Sequence, residues 1–107
     1  MSDLRTALLA VGQLSEGDTL DVLVADGFRM VVTNVDCASS SSAFTPLLGL
    51  EDVVSGGTWL TLVTNGILLT SVQWAGRQAF DVGSGFRLNA HVSDWDYRVT
   101  GWLLTLP

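Results

Sequence analysis

Apolar and polar residues alternate along most of this chain with a period of two, the spacing of a strand that buries one face. The clearest stretch is 85–93, where Phe86, Leu88, Ala90 and Val92 fall on one side and Arg87, Asn89 and His91 on the other. In 97–106, Tyr97, Val99 and Leu103 share a side, with Gly101 between them where bulk is excluded. Trp102 and Leu104 oppose them. The same reading marks strands over 5–11, 19–24, 28–37, 43–50, 58–64 and 67–73, while 79–82 is too short to count as one. Glycine-bearing turns punctuate these runs at Glu16-Gly17-Asp18, Asp26-Gly27, Ser55-Gly56-Gly57, Asn65-Gly66 and Gly83-Ser84-Gly85, with a serine run over 39–42. Asn65-Gly66 is a strong hairpin signal, because both central positions of a type I′ turn need positive φ, and Asp26-Gly27 works similarly.

Seven to eight short strands at this spacing predict an all-β fold: an antiparallel β-sandwich, jelly-roll-like. The 107 residues make one domain, 1–107. The first 14 residues are ambiguous. Leu4, Leu8 and Val11 also fit one face of a helix, whereas Val11 and Gly12 favour a strand, so 1–14 reads as an N-terminal arm or edge strand. A short echo links Asp26-Gly27-Phe28-Arg29 with Ser84-Gly85-Phe86-Arg87: each sets a turn, a glycine, an inward Phe and an outward Arg ahead of a strand. It marks either equivalent strands in two facing sheets or a coincidence of three residues.

Composition changes this picture in one respect. Hydrophobic residues make up 48% of the chain and charged residues only 15%, against about 25% charged in an average soluble domain. The predicted strands 58–64 and 97–106 are apolar on both sides. Their second faces, with Trp59 and Val63 on one and Trp102 and Leu104 on the other, call for a cover beyond the sandwich core. A neighbouring subunit is the simplest one.

Charge excludes some partners. Eleven Asp and Glu face five basic residues, all Arg, for a net charge of −6. Binding phosphate needs a cationic stripe, so nucleic acid is not expected as a partner. No apolar run approaches the roughly 20 residues of a membrane helix, so no membrane span is expected. The N-terminus turns polar too soon for a secretory signal, so export is not expected.

Candidate chemistry is sparse. Cys37 is the sole cysteine and His91 the sole histidine, which makes neither a disulfide nor a structural zinc site. Cys37 reads as a small buried hydrophobe. His91 lies on a polar strand face near Asp94 and Asp96, yet no G-x-S-x-G elbow supplies a nucleophile. The glycine-rich turns precede no Lys and open no helix, unlike a phosphate loop. No catalytic, cofactor or metal residues are therefore expected. The sharpest cluster is Asp94-Trp95-Asp96-Tyr97. It reads first as an exposed hairpin turn between the last two strands. Its aromatic residues are also a candidate ligand contact, a platform that would stack on a host-surface glycan, as in a small carbohydrate-binding module.

Two stretches carry a resemblance. One runs from Val24 through Asp26-Gly27-Phe28-Arg29 to Cys37. The other runs from Trp74-Ala75-Gly76-Arg77 through Gly85-Phe86-Arg87-Leu88 and is followed by Val99-Thr100-Gly101-Trp102-Leu103-Leu104. Together they resemble small β-sandwich virion proteins of tailed phages, particularly those infecting actinobacteria. These are minor tail proteins, with related sandwiches in capsid decoration proteins and fibre heads. The resemblance spans 18–106 and records strand and turn order; the Pro frequent in the first turn is replaced by Ala25 or Asp26. It implies a non-enzymatic virion protein, in the tail or on the capsid surface. It also implies a homo-oligomer, often a trimer, docked on other virion proteins.

Overall fold

The computed structural model describes residues 3–39, 47–63 and 70–106. They form eight strands: β1 (Asp3–Leu14), β2 (Thr19–Leu23), β3 (Phe28–Ser39), β4 (Leu47–Asp52), β5 (Thr58–Val63), β6 (Thr70–Phe80), β7 (Gly85–Val92) and β8 (Trp95–Thr105). Two four-stranded antiparallel sheets result, sheet A in the order β1-β8-β3-β6 and sheet B in the order β2-β7-β4-β5. The first strand pairs with the last, the second with the seventh, the third with the sixth and the fourth with the fifth. This is one long antiparallel ribbon rolled up on itself, the jelly-roll form of sandwich. The N-terminal segment resolves as the edge strand β1, paired along its length with β8 from Asp3↔Thr105 to Leu14↔Trp95.

The period-two pattern now has a physical basis. Val32, Val35 and Val99 from sheet A meet Leu48, Leu50, Phe86, Leu88 and Ala90 from sheet B, all fully buried. Residues between them on each strand point outward, since successive strand side chains alternate. Phe28 of β3 packs on this core and Phe86 of β7 lies within it, one from each sheet, while Arg29 and Arg87 face outward. The echo is not in register with the turns, however: Phe28 closes the turn that contains Gly27, whereas Ser84 closes the one that contains Gly83, and Phe86 lies two residues further on.

The turns around these strands share one geometry. Asp18 N–H bonds to Ser15 C=O, Phe28 N–H to Ala25 C=O, and Ser84 N–H to Asp81 C=O, each closing a four-residue turn. The third residue is a glycine at positive φ in all three: Gly17 at 88°, Gly27 at 84° and Gly83 at 84°. That is the requirement of a type II turn, which only glycine meets without strain. Asp26-Gly27 is thus a turn but not a hairpin, because β2 and β3 belong to different sheets. Among the described strands, only β4 and β5 are consecutive in sequence and neighbours in one sheet.

Other expectations need correction or fall outside the described residues. The strand predicted over 67–73 does not end at Gln73. β6 continues from Thr70 to Phe80 as a sheet edge, where one face meets solvent. The expected hairpin at Asn65-Gly66, the serines 40–42 and the starts of the strands predicted at 43 and 67 lie outside the described residues.

Candidate interaction surface

The two outer faces of the sandwich differ sharply. On sheet B the outward residues of β7 are polar and pair with polar neighbours on β2 and β4, while Leu23 at the end of β2 is exposed. Arg87 of β7 donates two hydrogen bonds to Asp21 of β2, at 2.6 and 3.0 Å. This pairing holds the Asp21 carboxyl below its ordinary pKa and lifts Arg87 above its own. Asn89 donates to Glu51 at 3.4 Å, and the His91 Nε2 lies 3.7 Å from the same carboxylate. His91 also lies over Gly49, where an added Cβ would come within 2.9 Å of its ring. The neighbour of His91 is therefore Glu51 rather than Asp94 or Asp96.

Sheet A presents a different outer face. Residues opposite one another in an antiparallel pair share a face, and Trp102 of β8 lies opposite Val31 of β3. Leu104 lies opposite Arg29, one step along. On β1, Leu8 opposes Thr100 and Val11 opposes Arg98, and these two apolar side chains are 52% and 57% exposed. The Arg77 guanidinium sits over the Trp102 ring, 5.2 Å from its centroid. A cation against an indole face contributes about 0.5–1 kcal/mol at an exposed site. Arg29 pairs with Asp81 at 2.7 Å, whereas among the described residues no carboxylate lies within ion-pair distance of Arg77 or Arg98. Further along, the face dips into a hollow of about 240 Å³ over Ala38, walled by Asp36, Gln73, Asp96 and Arg98.

The predicted interface residues thus separate. Trp102 and Leu104 do share the outer face of sheet A, each half-buried. Trp59 does not stand outward. The register between β4 and β5 slips at this point, with Leu50 opposite Leu60 but Glu51 opposite Thr58, so Trp59 is the extra residue of a β-bulge. A bulge re-aims the side chain it inserts. The Trp59 ring packs on Trp74 at 5.5 Å and Phe80 at 5.9 Å, on the core's margin. Its indole N–H has no hydrogen-bond partner among the described residues. The side chain of Val63 lies outside the described residues. An equivalent slip in β1, between Leu8 and Ala10, brings both Leu9 and Ala10 against the core.

The predicted ligand contact Asp94-Trp95-Asp96-Tyr97 is not an exposed platform. Trp95 is 1% exposed and Tyr97 is buried. The physical reason is topological: β7 ends in sheet B and β8 begins in sheet A, so the chain crosses the end of the sandwich here instead of turning a hairpin. Ser93 makes the crossing at φ 82°, the one described non-glycine residue at positive φ. Trp95 then plugs the end of the core, its indole N–H donating to Val92 C=O at 3.0 Å. Tyr97 lies across Gly12 on the neighbouring strand, its hydroxyl filling the space a side chain would take. Asp94 accepts from the backbone N–H of Glu16, and Glu16 accepts from the N–H of Ser93, tying the corner to the β1–β2 turn. Asp94 is a strut, and Asp96 belongs to the outer face of sheet A.

Gly101 and Cys37 sit on the inner side. A Cβ on Gly101 would lie 1.9 Å from the Val31 carbonyl oxygen, so the strands approach too closely for any side chain. The Cys37 thiol is buried, and loss of solvation, aided by Asp36, pushes its pKa to about 12. A thiol held neutral in this way is a poor nucleophile. Among the described residues, no three His, Cys, Asp or Glu side chains converge on one point. Among the described residues no helix is long and apolar enough to cross a membrane.

The chain matches no protein-family model and no curated protein.

Proposed function

We propose that this protein is a non-enzymatic structural subunit of a phage virion, a minor tail protein that works by self-association and docking through the outer face of sheet A. The observation that carries the reading is the pairing of Trp102 with Arg77 on the outer face of sheet A. Trp and Arg are the residue types most enriched where binding energy concentrates in protein contacts. Around them, Val31, Leu104, Leu8 and Val11 offer apolar area that a solvated sheet face ordinarily lacks. The phage assignment draws on the resemblance noted in the sequence, whose turn and strand order falls on β3, β6, β7 and β8. Jelly rolls also recur in viral capsid domains. A capsid decoration or head-fibre protein is the nearest variant and uses the same face. The glycan platform on Trp95 and Tyr97 is not carried forward, because both rings are buried.

The test is the solution mass of the purified protein, by size exclusion with light scattering at tens of micromolar. A stable oligomer is expected. A monomer at that concentration overturns the self-association reading. The virion assignment is tested separately, by mass spectrometry of purified particles encoded by the same genome; absence of the chain from intact particles refutes it.

A further inference from the structure

Among the described residues each sheet ends in two edge strands, and the four are not alike. β2 has five residues and carries Asp21, β5 has six and is broken by the bulge at Trp59, and β6 carries Arg77. Short length, bulges and charges are the usual guards against pairing with another chain. β1 is the longest edge, at 12 residues, and from Thr6 to Leu14 it has no charged residue and no proline. Its one neighbour is β8, so the backbone N–H and C=O groups along its other side meet no strand among the described residues. Leu8 and Val11 stand beside that row, each more than half exposed. Between β1 and β2 the same edge opens into a hollow of about 210 Å³ with no polar residue in its lining, which includes Leu8, Leu9, Leu23 and Met30.

β1 does carry one bulge, and that bulge makes the strand complementary to itself. Leu8, before it, opposes Thr100 and faces outward; Val11 and Gln13, after it, oppose Arg98 and Asp96 and face outward too. Leu9 and Ala10 between them both pack against the core. The order of faces thus reads the same in both directions from the midpoint between Leu9 and Ala10. A second copy of β1 laid antiparallel about this midpoint sets Leu8 opposite the second copy's Val11, and Leu9 opposite its Ala10. Further out, Gly12, opposite Tyr97, meets Ala7, opposite Gly101, and Gln13 meets Thr6, opposite Trp102. Tyr97 and Gly101 belong to the inner side of β8, Asp96 and Trp102 to its outer side. Residues opposite one another share a face, and every pairing from Thr6 to Gln13 obeys this. A shift of one residue either way sets outward Leu8 against inward Ala10 or Gly12, which no sheet permits. On a chain of net charge −6, this span brings no carboxylate of its own to the contact.

We propose that two copies of this chain pair β1 to β1 about a two-fold axis between Leu9 and Ala10, joining their sheets A into one eight-stranded sheet. The inference rests on the self-association proposed above and specifies its contact. Such a contact is isologous, the same edge used twice, so it closes at the dimer. The two bulges meet at the axis and the ladder runs on either side of them. The outer faces of the two sheets merge, with Leu8 and Val11 of both copies at the centre, and each added strand lies along the mouth of the hollow between β1 and β2.

The experiment uses two cysteine variants of the full chain, L8C and V11C, with the buried Cys37 left in place. A disulfide needs Cα atoms about 4.4–6.8 Å apart, a distance that opposite residues of an antiparallel pair meet and residues further out of register do not. Under mild oxidation the equimolar mixture is expected to cross-link at least about tenfold faster than either variant alone, since only the mixture sets one new thiol opposite the other. L8C or V11C cross-linking alone as fast as the mixture overturns the antiparallel register. A mixture that does not cross-link while light scattering still shows an oligomer overturns the β1 contact and leaves self-association standing. A monomeric unmodified chain removes the underlying reading and this one with it. Deuterium exchange of the unmodified chain needs no substitution and decides the matter should a variant misfold. Amides of 8–14 are expected to slow at least about tenfold as rising concentration brings the dimer, because the second strand covers the open edge. Exchange in β1 that association leaves unchanged overturns the proposal.

Discussion

Trp95 and Trp102 occupy one strand and face opposite ways, and their substitution separates the two jobs of β8. Trp95 fills the end of the core, so Trp95→Ala is expected to cost about 3–5 kcal/mol, the usual range for a buried Trp truncated to Ala, measured by urea unfolding. Trp102 stands on the outside, and Trp102→Ala is expected to remove the cation–π contact, about 0.5–1 kcal/mol, while lowering the subunit count seen by light scattering. Equal costs for the two would contradict the opposed faces. Cys37 gives a second expectation. Between the ordinary thiol pKa of 9.0 and about 12, an unfolded chain releases the proton that the folded chain retains. The unfolded state therefore binds fewer protons across this window, and stability falls as pH rises, by at most about 1.4 kcal/mol per pH unit. Cys37→Ala should flatten that slope between pH 9 and pH 11, with other groups contributing equally to both proteins. Of these residues, Trp102 was legible from alternation, and Cys37 as a lone cysteine in an apolar strand. Trp95 was not, because a polar flank of two aspartates imitates an exposed turn, and only the crossing between sheets reveals that the indole points inward.

At the scale of elements, alternation marked a segment in each of the eight strands, because each places one side against a shared core, but it left β1 open between strand and helix and ended β6 at Gln73. What it left unread has a common cause. A β-bulge adds one residue and shifts the phase, so counting by two misassigns whatever follows it. Trp59 was read onto the outer face for this reason, and Leu9 and Ala10 sit at a second such slip. The continuation of β6 past Gln73 was hidden differently: an edge strand has weaker patterning, and at Gly76 an added Cβ would come within 2.6 Å of the Trp74 ring. Glycine also limits how β8 and β3 tolerate change. Gly101→Ala would push a methyl group into the Val31 carbonyl, and the repacking should cost about 1–3 kcal/mol or more. Thermal denaturation checks this, and a neutral result would show that the two strands can spread. Edge and centre should differ in dynamics as well. Amides of β8 and β3, paired on both sides, are expected to exchange with deuterium at least about a hundredfold more slowly than those of the five-residue edge strand β2.

For the whole molecule, the pattern predicted a jelly-roll-like sandwich, and the strand order supplies the missing connectivity. Sheet membership was beyond a local reading, since a type II turn looks alike whether it joins strands of one sheet or crosses between two. The candidate surface was half legible for the same reason: an outward Trp and Leu can be seen on one strand, but the arginine above them comes from β6. The pairing of β1 with β8 has a consequence in time. Of the eight strands β1 is made first and its hydrogen-bonding partner β8 last, so the backbone of β1 waits unpaired while the six strands between are synthesised. β3 waits too, since β8 is one of its two neighbours. Sheet A cannot assemble until the final strand arrives, and such long-range pairing folds slowly. Throughout that interval Leu8 and Val11 ride on an open strand, where a second nascent copy could pair with them wrongly. The order of synthesis thus leaves the first strand waiting for the last.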